Sequence, residues 1–156
     1  MKEKNVTCIL EKFFGIIKYK QTFEKERGMA MQIKEEEHIM IHYFILLPLV
    51  KKVLEKDFQL FETGSFKVKD PYLDMVQEAL RLLHKDMRHI KQYMHQKQIR
   101  VTFEENDGMF SRYSYVCRGH EGSSSYLNAN LKRQTRHCME AYFLKTSPLQ
   151  SDSVLH

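Results

Sequence analysis

A mainly α-helical domain is the fold class the sequence predicts: a helical hairpin with a long central helix, a small β-hairpin and a C-terminal helix. Three observations carry that expectation. Tyr72, Val76, Ala79, Leu83, Met87, Ile90 and Met94 recur at spacings of 4, 3, 4, 4, 3 and 4 with no Gly among them, which draws one apolar stripe along a helix. Upstream, residues 39–50 are the most apolar run of the chain, separated from the stripe by Glu62-Thr63-Gly64-Ser65. Downstream, Ile99-Arg100-Val101-Thr102-Phe103 alternates apolar with polar, the period of a half-buried strand.

A chain of 156 residues, 42% hydrophobic, can bury one core and is short for two. Cys8, Cys117 and Cys138, with no CxxC pair, argue against a disulfide framework and for a reducing, cytoplasmic setting. The run at 39–50 contains His42 and Pro48 and falls short of the roughly 20 apolar residues of a bilayer span, so it reads as a buried helix and no membrane partner is expected. Glu11 and Lys12 split the apolar patch near the start, unlike a signal peptide.

In chain order, residues 1–28 stand apart, with seven basic and four acidic side chains. Gly15 and the aromatic and β-branched content make any helix here a weak one. The segment is either a disordered N-terminal arm or translated leader, because Lys25-Glu26-Arg27-Gly28 before Met29-Ala30-Met31 is what an in-frame, purine-rich ribosome-binding site would encode. The globular domain is then residues 29–145. Without residues 1–28 the formal charge falls from +5 to +2, and a pI of about 9.0 loses force as a nucleic-acid signal.

Residues 32–61 predict one or two helices, with Glu35, Glu36 and Glu37 complementing the dipole of the first turn and Pro48 kinking or splitting the run. Gly64 is the expected C-terminal cap. Asp70 is the expected N-cap of the central helix, residues 70–99, with Pro71 at its first position, and two long helices so joined form a hairpin. Residues 99–103 and 109–117 are strands about a turn at 104–108. Residues 118–122 read as loop, after which Ser123, Ser124 or Ser125 caps a last helix with Leu127, Leu131, Cys138 and Tyr142 on one side. Residues 146–156, with Pro148 and four Ser/Thr, read as a disordered tail.

Several strings in these elements carry a resemblance. Leu46-Leu47-Pro48-Leu49, Glu62-Thr63-Gly64-Ser65-Phe66-Lys67, Asp70-Pro71-Tyr72, Tyr115-Val116-Cys117-Arg118-Gly119 and Tyr126-Leu127-Asn128 resemble the small uncharacterised YhjD-like proteins of spore-forming bacilli and their phages, over about residues 31–145. The resemblance implies a bacillus or phage origin. None of these strings is a catalytic signature, and the resemblance implies no activity.

Three constellations bear on chemistry. Glu35-x-x-His38 with His42, and Asp86-x-x-His89, have the spacing of helical metal ligands, but a zinc site needs three ligands converging, and the favoured reading is solvated helix faces. Arg81, Lys85, Arg88 and Lys91 lie opposite the apolar stripe, with Lys97 beyond and His84, His89 and His95 interleaved. Lys132, Arg133, Arg136 and His137 add charge on the last helix. Together these could track phosphates while Tyr113 and Tyr115 stack on bases. Third, eight Tyr, ten Phe and nine Met exceed what one small core needs, and Met75, Tyr93, Met109, Tyr113 and Tyr115 are the candidates for a protein interface.

Cys117 lies near His120 with no orienting acid beside it, and no Gly-rich phosphate loop, GxSxG or HExxH occurs. The expectation is a small cytosolic accessory or regulatory protein that binds another protein or itself as a homo-oligomer. A nucleic-acid-binding regulator using the basic faces is the alternative. No catalytic residue, metal ligand or cofactor is assigned.

Overall fold

The computed structural model describes residues 33–149; the arm or leader at 1–28 and the end of the expected tail lie outside them. Three helices, α1 (Glu35–Thr63), α2 (Asp70–Gln96) and α3 (Asn128–Phe143), pack pairwise. Between α2 and α3 the chain forms an antiparallel sheet of β1 (Ile99–Asn106), β2 (Phe110–Cys117) and β3 (His120–Leu127), in that spatial order. The fold is therefore mainly α with a minor β region. Its core joins Leu47, Val50 and Leu54 of α1, Ala79, Leu83 and Ile90 of α2, and Leu131, Cys138 and Tyr142 of α3.

Alternation along the strands sorts the sheet into two faces. Ile99, Cys117 and His120 share one cross-strand row and Val101, Tyr115 and Gly122 the next. This face packs on the first turns of α1, where the His38 ring meets Tyr115 edge-on at 6.2 Å and His42 stacks on Tyr126 at 5.7 Å. The other face carries Arg100, Thr102, Ser114, Glu121 and Ser123.

The third strand replaces the expected loop and serine cap. His120 to Leu127 contains Gly122 and three serines and has little strand propensity. Unbroken pairing to β2 overrides that preference. The turn into it, Arg118-Gly119, has positive φ at both residues (49° and 85°), as a two-residue type I′ hairpin requires. The inner face then needs the absence of a side chain at 122, where an added Cβ would sit 2.5 Å from Tyr115 Cζ. Since β3 runs through the serines, α3 starts at Asn128 with no side-chain cap.

Other boundaries shift for local reasons. α1 is continuous through Pro48, whose exposed position keeps the missing N–H off the packed side formed by Leu46, Leu47 and Val50. Lys69, not Asp70, occupies the N-cap of α2, leaving Asp70 and Pro71 one step inside. Gly64 does close α1, its N–H donating to the Leu60 carbonyl at 2.8 Å, but with extended backbone (φ −68°) and not a left-handed one.

Two buried carboxylates, each expected to be solvated, fasten the periphery to the helices. Glu37 is 2% exposed and receives both Arg118 terminal nitrogens as well as the Lys34 backbone N–H at 3.0 Å. This pins the β2–β3 turn to the start of α1. The guanidinium holds the Glu37 carboxyl below the usual range, against the opposing effect of burial. Asp86, 4% exposed, accepts from the Tyr142 hydroxyl at 2.8 Å and from the Ser147 hydroxyl. Ser147 and Leu149 are buried through that contact, so the expected tail is packed as far as residue 149.

Candidate protein interface

Sequence periodicity sends Tyr72 into the core. The structure instead leaves the closed end of the α1–α2 hairpin apolar and open. Leu60 is 57% exposed, Phe66 47%, Val68 62%, Tyr72 44% and Met75 42%. The helices run on here past their fully buried stretch: the last fully buried residue of α1 is Leu54 and the first of α2 is Val76, with Phe58 and Phe61 partly buried between.

The end is rigidly built. Phe61 and Tyr72 stack nearly parallel at 5.3 Å (5°), and Phe66 closes on both, at 5.4 Å and 5.7 Å. Rings in offset or tilted pairs at these distances attract beyond their area burial. Gly64 makes room for Phe66, since a Cβ there would stand 2.7 Å from Phe66 Cε2 and 2.8 Å from the Leu60 carbonyl oxygen. Lys69 Nζ donates to the Glu62 carbonyl at 2.9 Å and Thr63 Oγ1 to the Gln59 carbonyl at 2.9 Å, satisfying acceptors that the helix end leaves open. What results is a preformed aromatic cluster whose outer surface is exposed.

Of the candidate interface residues, Met75 belongs to this end. Met109 is exposed on the β1–β2 turn, 63%. Tyr113 is half-buried between Phe103 (5.4 Å) and Tyr126 (5.9 Å). Tyr93 is half-buried with Lys97 Nζ 5.9 Å from its ring centre, and burial pushes its hydroxyl up to about 12. Tyr115 is core, buried against His38 and over Gly122, and is unavailable for stacking on bases. Leu60, Phe66, Val68 and Tyr72 were missed as surface residues. The signal for Phe66 and Val68 was Phe66-Lys67-Val68-Lys69, an apolar–basic alternation in a link too short to bury either apolar side chain.

The basic candidates are all exposed, and several are already occupied. Glu78 holds Arg81 bidentately at 2.8 Å, Glu140 holds Arg136 at 2.9 Å, and Arg133 donates to Asn130 Oδ1 at 2.8 Å. Lys85, Arg88 and Lys91 project from α2, and Lys132 joins Tyr113, Leu49 and Val53 around a groove of about 370 Å³ between α1, the sheet and α3.

The metal-like spacing is resolved by the sheet: Glu35 is exposed while His38 and His42 pack beneath it. Burial lowers both imidazoles, His42 to about 4. Asp86 is turned to Tyr142 and Ser147, with His89 exposed. No three His, Cys, Asp or Glu side chains converge on a common point among the described residues. The Cys117 thiol, buried and beside Glu37, is pushed up, the reverse of what activates a nucleophile. No described helix is long and apolar enough to cross a membrane.

The family model described as YhjD protein matches residues 32–147. Uncharacterized protein YhjD of Bacillus subtilis (strain 168) is 24% identical over 110 residues, spanning 70% of this chain and 92% of the relative. No solved structure matches.

Proposed function

This chain belongs to the YhjD family, and we propose that it is a cytoplasmic accessory protein that works by binding protein through the closed end of its helical hairpin. The observation that carries the reading is the stacked Phe61–Phe66–Tyr72 cluster with Leu60, Val68 and Met75 exposed around it. A contiguous apolar patch on a small domain marks an interaction surface. Rings already locked in place lose little entropy on docking. The cytoplasmic setting is supported by the free thiols of Cys117 and Cys138.

The reading is favoured over phosphate binding because Arg81 and Arg136 are neutralised by carboxylates on their own helices. Photo-crosslinking from position 66 in living cells tests it. A protein adduct is expected from 66, unchanged by nuclease and absent from position 121 on the outer sheet face. Equal yields from both positions, or an adduct that nuclease removes, would overturn it.

A further inference from the structure

We infer that the occupant of the hairpin end is a second copy of the same chain, docked end to end about a two-fold axis. This rests on the reading of that end as a protein-binding surface. The argument is the charge around the rings. Lys67 lies on the link, and Asp70 and Asp74 lie on the first turns of α2; all three are exposed and none forms an ion pair among the described residues.

A patch ringed by one sign of charge selects a partner of the opposite sign. Here both signs border the same apolar centre within eight residues, Lys67 to Asp74. An acidic peptide facing this rim would meet Asp70 and Asp74, and so would an anionic lipid surface; a basic peptide would meet Lys67. The face that satisfies both signs is one that carries them in inverted order, which a two-fold axis through the patch supplies from the molecule itself. Lys67 of one copy then faces Asp70 and Asp74 of the other, twice per contact. Phe66 and Tyr72, whose inner edges are already packed against Phe61, bring their exposed edges to the centre of the contact.

Light scattering on the full 156-residue chain across a concentration series tests the inference. Wild type is expected to rise from 18.7 kDa to twice that mass, and Phe66→Ser/Tyr72→Ser to stay at the lower value with an unchanged circular dichroism spectrum. Lys67→Glu alone and Asp70→Lys/Asp74→Lys alone should each weaken association at least tenfold. An equimolar mixture of the two should restore it, because each rim now matches the other and not itself.

A chain that remains single at ~200 µM would overturn the inference, as would a dimer that survives Phe66→Ser/Tyr72→Ser or charge variants that do not rescue one another. Sedimentation with phosphatidylglycerol vesicles dependent on Phe66 would overturn it in favour of a lipid surface. The wider reading is judged separately: a position-66 adduct to a different protein, with a monomeric chain, sinks the second copy and leaves the docking surface standing.

Discussion

Arg118 offers a perturbation in which two local effects oppose each other, so the sign of the outcome is informative. It occupies the first position of a two-residue turn at φ 49°, where Asn is favoured over residues with long side chains. Arg118→Asn therefore improves the turn while removing the partner of Glu37. The carboxylate loses both guanidinium contacts and keeps the Lys34 N–H at 3.0 Å. Stripping a buried charge of its partner costs about 3–5 kcal/mol. Arg118 is 27% exposed, so water shares the load, and with the turn's gain subtracted the expected net loss is about 2 kcal/mol at pH 7.

Acid should discriminate further. In the parent, the Glu37 carboxyl is held below its ordinary value, so its contribution is present at neutral pH and lost as pH falls through the folded value. In the variant, burial acts with the chief opposing effect gone, and the carboxyl rises. The folded variant then takes up a proton before the unfolded chain does. Urea unfolding at pH 7 and pH 4.5 should show the gap between the two proteins narrowing on acidification. Adding Glu37→Gln to Arg118→Asn should recover part of the loss at pH 7. A neutral or stabilised Arg118→Asn, or a gap independent of pH, would refute the argument.

Leu83→Ala removes a fully buried side chain at mid-stripe and should cost roughly 2–5 kcal/mol in chemical denaturation; a loss below about 0.5 kcal/mol is surface behaviour and would misplace the α2 core face. His42, held down to about 4 by burial, binds a proton in the unfolded chain at a pH where the folded chain refuses it. Stability should thus fall between pH 6.5 and 4 by up to about 3 kcal/mol, and His42→Phe, which keeps the stack on Tyr126, should flatten that part of the pH profile. Gly122→Ala drives a Cβ to 2.5 Å from Tyr115 Cζ and should cost about 1–3 kcal/mol by overpacking, with Tyr115→Leu in the same chain returning part of it in urea unfolding.

How much was legible follows from where each signal resides. The central helix was legible because one apolar stripe coincides with the buried face from Val76 to Met94. The same stripe misled at Tyr72, since periodicity says which side of a helix is apolar and not how far its neighbour extends; α1 is fully buried only as far as Leu54, with Phe58 and Phe61 partly buried beyond it. Asp86 sits three residues after Leu83 and four before Ile90, on the stripe itself. Its partners, Tyr142 and Ser147, lie 56 and 61 residues away, so only a fold could show that the carboxylate belongs inside. The third strand was hidden for a related reason: Gly122 looks like loop until Tyr115 lies across it.

Glu35, Glu36 and Glu37 sharpen the point, being equivalent by propensity, charge and place in the first turn. Glu37 alone is buried, because Arg118, 81 residues away, reaches it. Yet that contact did leave a trace in the chain. A two-residue hairpin turn at Arg118-Gly119 has no local reason to prefer Arg at a left-handed position over Asn. At Arg118 the side chain that opposes its own backbone is the one that holds the buried Glu37 carboxylate. Local turn preference makes this segment a loop, and the long-range contact from Arg118 to Glu37 makes it the anchor of the sheet.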